Sequence, residues 1–311
     1  MPRYVNLDGT TPDKSLRDVL RWQIVDRLAG RRPVDRSAFV TPRRENDGAA
    51  LLAREPHLTW IGHATFVVRL GDVLVATDPV FASRMGPGRR LTPPGVDPSK
   101  IPPVDVVTVS HSHYDHMDVP SLRALAARGR PLFVVPKDNA SVLRDAGIAN
   151  VTELGWWDSV QVSGLKITCV PAQHWSMRVP WDRNTRLWGG FVYESSQGVA
   201  YHSGDTAMSA DVFRAIAQRC PPIDWAMLPI GAYEPTWFMA SQHMGPEEAG
   251  RAWELLGART LVAMHWGTFK LTDEPIGEPP ERTRAWFDAK GQRERLWVMD
   301  VGETRFLGER R

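Results

Sequence analysis

Cysteine is scarce. Cys169 and Cys220 are the only two in 311 residues, far apart and without CxxC spacing. This argues against a disulfide framework and favours a reducing compartment, so the expected location is cytoplasmic. An excess of one charge is also missing: 38 Lys+Arg against 36 Asp+Glu leave a formal net charge of +2. With no basic stripe interleaved with aromatics, nucleic acid is not an expected partner. No run approaches the roughly 18 consecutive apolar residues of a membrane span. The first thirty residues carry Asp8, Asp13, Asp18 and Asp26 and no apolar signal-type core. Membrane contact, if there is any, is then expected to be peripheral. No Gly-x-Ser-x-Gly or Ser-His-Asp arrangement offers a side-chain nucleophile.

What is present is an ordinary globular composition, 42% apolar and 24% charged, able to bury a large core. Tryptophan is unusually common, at 13 residues. Trp60, Trp156, Trp157, Trp188 and Trp237 are expected mostly in the core, where they supply large, rigid contact area. Residues 1–35 read as an N-terminal helical extension. "TPDKSLRDVLRWQIVDRLAG" has Thr11 as N-cap, Pro12 at the first position and Gly30 as stop. Leu16, Leu20, Ile24 and Leu28 form an i, i+4 ladder, interrupted by Arg17 and Arg27 and expected to pack on the body.

Residues 36–311 read as one domain in which strands alternate with helices. "LTWIGHATFVVRL" and "DVLVATDPVF" meet at Gly71-Asp72, a hairpin signal. "VDVVTVS", "PLFVVP", "VQVSGLKITCVP", "RLWGGFVYES", "GVAYHSGD", "WAMLPIG" and "TLVAMHWG" read as strands. "RLWVMDVGETRFL" reads as a late hairpin through Gly302. Helices are expected at 119–129, in "KDNASVLRDAG", near 208–219, and in "GPEEAGRAWELLG". The Pro/Gly-rich loop 85–103 is long enough to suggest a functional role.

Ligand-type side chains collect where strands end. "SHSHYDHMD" follows one strand and sets His111, His113, Asp115 and His116 within six positions; Asp118 follows. His174, Asp205 and His265 each sit just past another strand. Such density is costly to bury unless something binds the ligating atoms, and imidazole with carboxylate suits zinc or a related first-row ion. His63, His202 and Asp78 read either as partners orienting the ligands or as structural hydrogen-bonders. The Gln242-His243 pair lies in a loop before a helix whose first turn holds Glu247 and Glu248. It either braces that helix or points into the site.

H-x-H-x-D-H followed by a distant His, an Asp and a His resembles the metallo-β-lactamase superfamily. The resemblance implies a four-layer αββα sandwich with two metal ions, most often zinc, at one edge. His111, His113 and His174 would hold the first; Asp115, His116 and His265 the second; Asp205 would bridge them. "TWIGHATFVV", "TDPVF", "LWGG", "GAYEPTWFM", "QHMGPEEA" and "HWGTF" further resemble the N-acylphosphatidylethanolamine-hydrolysing phospholipase D family, from about residue 36 to about 307. That implies hydrolysis of a phospholipid or related phosphodiester by a metal-activated hydroxide. Asp115, Asp205 and His243 would be catalytic, and Gln242 and His243 would contact substrate. The competing readings are another metallohydrolase on the same fold, such as a sugar-phosphate lactonase, and a non-catalytic metal-stabilised lipid-binding protein. A homodimer is left open.

Overall fold

Ser15, not Thr11, starts the first helix. The computed structural model describes residues 3–12, 14–33, 35, 38–86 and 88–308. Ser15 Oγ accepts the Asp18 N–H at 3.3 Å, and the Ser15 N–H donates to Asp18 Oδ2 at 2.9 Å. This reciprocal cap fixes the helix start beyond Pro12. The helix runs through α1 (Leu16–Leu20), a π-turn (Arg21–Val25) and α2 (Asp26–Leu28), then stops at Gly30. The apolar ladder does not pack on the body: Leu16, Leu20, Ile24 and Leu28 are 81%, 53%, 49% and 84% exposed. Periodicity gives which residues share a face, not what that face meets. Trp22 docks instead, packed with Phe238 and Met239 and donating its indole N–H to Asp273 Oδ2 at 2.7 Å. The boundary expected after residue 35 falls at Arg36, outside the described residues.

Two seven-stranded sheets follow. The first contains β1 (His57–Gly62), β2 (Thr65–Leu70), β3 (Val73–Thr77), β6 (Val106–Thr108), β7 (Leu132–Pro136), β8 (Val151–Leu154) and β16 (Thr304–Phe306). A small ribbon, β4 (Arg84–Met85) and β5 (Gly88–Arg89), lies outside it. The second sheet contains β9 (Ser159–Val162), β10 (Leu165–Val170), β11 (Gly190–Ser195), β12 (Gly198–His202), β13 (Trp225–Pro229), β14 (Thr260–Met264) and β15 (Leu296–Trp297). Their orders are β16-β1-β2-β3-β6-β7-β8 and β15-β14-β13-β12-β11-β10-β9. Each sheet is antiparallel on one side and parallel on the other, changing at β3 and at β12. The parallel pairs require crossovers, which the helices supply.

The sheets face each other across Trp60, Phe66, Ile167, Phe191 and Tyr193, all fully buried, and Tyr193 OH meets Thr108 Oγ1 of the first sheet at 2.7 Å. Outside the first sheet, α3 (Val119–Gly129) and α4 (Ala140–Asp145) bury Leu122, Leu125 and Leu143 against Leu74, Val107 and Phe133. Outside the second, α5 (Ala210–Arg219), α7 (Pro246–Leu256) and α8 (Glu278–Ala289) bury Phe213, Trp253 and Phe287. Helix on sheet on sheet on helix is the αββα sandwich.

The C-terminal elements differ most from the sequence reading. The expected hairpin after residue 296 does not form. β15 pairs with β14 and β16 with β1, so the chain passes from one sheet to the other at Gly302. Gly302 has φ 90°, and a Cβ there would stand 2.4 Å from Arg44 O. Helix α8 is not foreseen at all. Pro279 and Pro280 resemble a loop signal, yet in the first turn of a helix their missing N–H groups cost nothing.

Candidate metal centre

Strand ends build the site. His63 follows β1, Asp78 follows β3, and His111 to His116 follow β6. His174 follows β10, Asp205 follows β12 and His265 follows β14. His63, Asp78 and His265 take left-handed backbone angles, φ 55°, 37° and 61°. Non-glycine residues in that region are strained by about 1–3 kcal/mol each, and such strain clusters at functional sites.

Three imidazole nitrogens converge in one trio. His113 Nδ1 lies 2.8 Å from His111 Nε2 and 3.3 Å from His174 Nε2. Asp115, His116 and His265 form a second group, joined by His63, with ligating atoms within 4.8 Å of one another. Asp205 stands between the two. Its Oδ2 is 3.1 Å from His116 Nε2 and 3.9 Å from His174 Nε2, and its Oδ1 is 3.1 Å from His265 Nε2. The structure therefore brings together every metal-type residue expected from the motif.

Outward hydrogen bonds orient the rings. His174 Nδ1–H donates to Gln242 O at 2.8 Å. His116 Nδ1–H donates to Asp78 Oδ2 at 2.6 Å. His111 Nδ1 is 2.9 Å from Ser110 Oγ, which donates in turn to Asp78 Oδ2 at 2.6 Å. With those protons committed outward, the three Nε2 lone pairs face inward. Asp205 Oδ1, His116 Nε2 and His265 Nε2, all on the inner side, are buried without a hydrogen-bond partner. Buried polar atoms without partners are rare, and inward lone pairs beside carboxylates repel unless a cation lies among them. The donor set fits first-row ions held by nitrogen and oxygen, and the outer hydrogen bonds are those usual around such ligands.

Electrostatics separate the two groups. Burial drives His111 and His174 well below the ordinary imidazole range and lowers His113 to about 4. Those rings are neutral near pH 7, the form that binds metal. Burial also disfavours the charged form of His265, but Asp205 and Asp115 outweigh it and raise the ring to about 9. Burial opposes ionisation of Asp115 and Asp205, yet His116 holds both well below the carboxylate range.

The remaining residues divide. His63 joins the second group: its Nε2 is 3.1 Å from Asp115 Oδ2, its N–H donates to Thr268 Oγ1 at 2.6 Å, and its O accepts the His265 N–H at 3.1 Å. Its place directly after a strand was the signal available in the sequence. His202 is a structural strut between Ala64 O and the Gly204 N–H. His243 faces the site, its Nδ1 3.9 Å from Asp205 Oδ2. Gln242 is buried with its amide 3.5 Å from Met239 Sδ, so its main-chain carbonyl, not its side chain, meets a site ligand. In the 85–103 loop, where Pro87 lies outside the described residues, Arg90 donates to Ile61 O, Val80 O and Thr92 O and so braces the segment before His63.

The sequence model of the family described as "Beta-lactamase superfamily domain" matches residues 74–266, which carry all these ligand-type residues but His63. The chain belongs to the metallo-β-lactamase superfamily. Among its relatives, the N-acyl-phosphatidylethanolamine-hydrolyzing phospholipase D 1 of Caenorhabditis elegans is 37% identical over 75% of this chain and 70% of its own length. An uncharacterized protein of Mycobacterium tuberculosis is 38% identical over 91% of this chain and 77% of its own. Among solved structures, a metallo hydrolase from the archaeon Ignicoccus hospitalis has a TM-score of 0.63 at 23% identity, covering 82% of this chain and 99% of that one. That similarity bears on the fold. Superfamily membership and these relatives make the chain a metal-dependent hydrolase of this fold.

Proposed function

We propose that the protein is a dinuclear metal-dependent phosphodiesterase. Its reaction is a phospholipase D-type cut of N-acylphosphatidylethanolamine or a related diester. The observation that carries this reading is Asp205 between the two ligand groups, 3.1 Å from both His116 and His265. A relative that covers most of the chain and bears that activity in its name supports the substrate class. His111, His113 and His174 would hold one ion, and Asp115, His116 and His265 the other, with Asp205 placed to serve both. When bound, two zinc or other first-row ions would supply Lewis-acid charge toward a phosphoryl group and would lower the pKa of a water.

The chain's own residues do the rest. Asp115 presents its carboxylate to the site as a hydrogen-bond acceptor, held by His63 Nε2 at 3.1 Å. Burial lowers His243 to about 4, so the ring is neutral near pH 7 and presents a hydrogen-bonding nitrogen to the phosphate and the leaving alcohol oxygen. Gln242 supports substrate binding through the loop that carries His243 and anchors His174.

No helix among the described residues is long and apolar enough to cross a membrane. The outward ladder on α1 and α2 fits a peripheral contact with lipid. It is flanked by Lys14, Arg17, Arg21 and Arg27, and Trp22 beneath it packs on Phe238, close to His243 in the chain. The decisive experiment is product analysis. Incubation with N-acylphosphatidylethanolamine yields phosphatidate and the N-acylated amino alcohol. Release of free fatty acid or diacylglycerol rejects the phospholipase D reading, and activity confined to lactones favours the lactonase.

A further inference from the structure

We infer that Asn6 is a positioning residue for His174, so that the N-terminal segment helps to build the first trio of ligands. The inference rests on the metal-centre reading above. Asn6 stands 168 residues before His174 and is 2% exposed. Its Oδ1 accepts the His174 N–H at 3.0 Å and the Trp188 indole N–H at 3.0 Å. His174 lies past the end of β10, where no strand supplies an acceptor for its N–H; Asn6 takes that place. The imidazole is held from its other end by Gln242 O at 2.8 Å. Main chain and ring are thus fixed separately, and Nε2 is left to aim at His113 and Asp205.

The turn that carries Asn6 is itself held in place. Asn6 N–H donates to Thr10 O, and Asn6 O accepts the Gly9 N–H, each at 2.8 Å. Asp8 Oδ2 accepts Gln173 Nε2–H at 3.0 Å, tying the same turn to the residue before His174. Gln173 reaches across to the Asp205 loop, its N–H donating to Thr206 Oγ1 at 3.0 Å and its O accepting the Ala207 N–H at 2.8 Å. An error in the placement of His174 would therefore reach the shared carboxylate as well.

Zinc affinity measured by chelator competition on the full chain tests this. Asn6→Ala removes the acceptor, and the more weakly held zinc should then bind about 10–100-fold less tightly, the usual effect of losing an outer-shell partner. Asn6→Asp keeps an oxygen at the same place and should bind as wild type does. Trp188→Phe removes the indole donor that Asn6 Oδ1 shares with Ala172 O, leaves the His174 N–H bond to Asn6 in place, and should also match wild type. If Asn6 merely staples the segment to the core, Trp188→Phe would reproduce the Asn6→Ala loss, which overturns the inference. Wild-type affinity in Asn6→Ala overturns it as well. If Asn6→Ala does not fold, Asn6→Asp and Trp188→Phe decide: loss of zinc in either rejects the role. A wild-type chain that binds no zinc defeats the metal-centre reading itself, whereas two bound ions with an unaffected Asn6→Ala defeat this inference alone.

Discussion

Asp78 anchors His116 directly, Oδ2 to Nδ1 at 2.6 Å, with both side chains almost wholly buried. The same carboxylate accepts from Ser110 Oγ at 2.6 Å and from the Ser110 N–H at 2.7 Å, and Ser110 in turn meets His111. One residue without any place in the ligand motif thereby orients a ring from each of the two proposed ligand sets.

Asp78→Asn should therefore weaken binding of both ions, by about 10–100-fold. The asparagine keeps the shape and one acceptor but not the charge that favours the His116 Nδ1–H orientation. Chelator competition gives the affinities, and the circular dichroism spectrum should be unchanged. Loss confined to one ion would mean that Ser110 does not transmit the anchoring to His111.

Asp205→Ala should lower metal content and turnover together. A carboxylate shared between two like charges cannot be replaced by water without weakening both sites. Metal analysis of the purified variant beside its rate on a diester checks this. Full occupancy with undiminished turnover would remove Asp205 from the bridging position.

His243→Ala should leave both ions bound and lower turnover by roughly 10²–10⁴-fold, the scale of positioned proton transfer. Metal content, melting temperature and rate are read on the same preparation. A variant that loses stability in step with activity would make His243 a brace for α7. Gln242→Ala should act mainly through packing against Met239, since its carbonyl contact to His174 survives the substitution.

The ligand cluster was legible because chemistry and spacing coincide. His111, His113, Asp115 and His116 occupy six positions at a strand end, and His174, Asp205 and His265 end other strands. Most strands of the two sheets, though not β8, and α3, α5 and α7 were legible from apolar runs closed by glycine or proline. Long-range geometry was not. Nothing near Asn6 announces that its amide will meet a main-chain N–H 168 residues away. Gly302 looked like a hairpin turn because a strand-turn-strand pattern does not specify which sheet each strand joins. The Leu16 to Leu28 ladder gave the right face and the wrong environment, because Trp22 on another face found Asp273 and Phe238.

Asp182 gives a pH dependence away from the ligands. Burial raises its pKa, but the Val179 and Arg178 N–H groups and the Arg186 guanidinium outweigh this, and the net shift is downward. A carboxylate lowered on folding stabilises above its unfolded pKa, near 4, and loses that contribution as the pH falls through the folded value. The loop it caps matters to the site, because Arg178 Nη1 donates to Ser112 O and Met117 O at 2.9 Å each. The melting-temperature gap between wild type and Asp182→Asn should hold steady from pH 7 to about 5 and close below about pH 4. A gap that persists unchanged to pH 2 would show that the charge of Asp182 contributes nothing.

The exposed ladder on the first helix carries the last prediction. Leu16 and Leu28 are 81% and 84% exposed, at opposite ends of a ridge that also includes Leu20 and Ile24. Fully burying one leucine side chain is worth about 1.5–3 kcal/mol, and 1.4 kcal/mol is a factor of ten in affinity. Leu16→Glu and Leu28→Glu should each lower binding to anionic phospholipid vesicles by about tenfold or more, the added charge opposing the flanking arginines. Both side chains are exposed, so metal content and the rate on a short-chain soluble diester should stay at wild-type values. Vesicle sedimentation at low and high salt separates the two contributions, because salt screens the arginines but not the apolar contact. Unchanged sedimentation in the double variant would show that the ridge meets something other than lipid. A fall in the soluble-diester rate alongside it would place the helix in the support of the site rather than at the membrane.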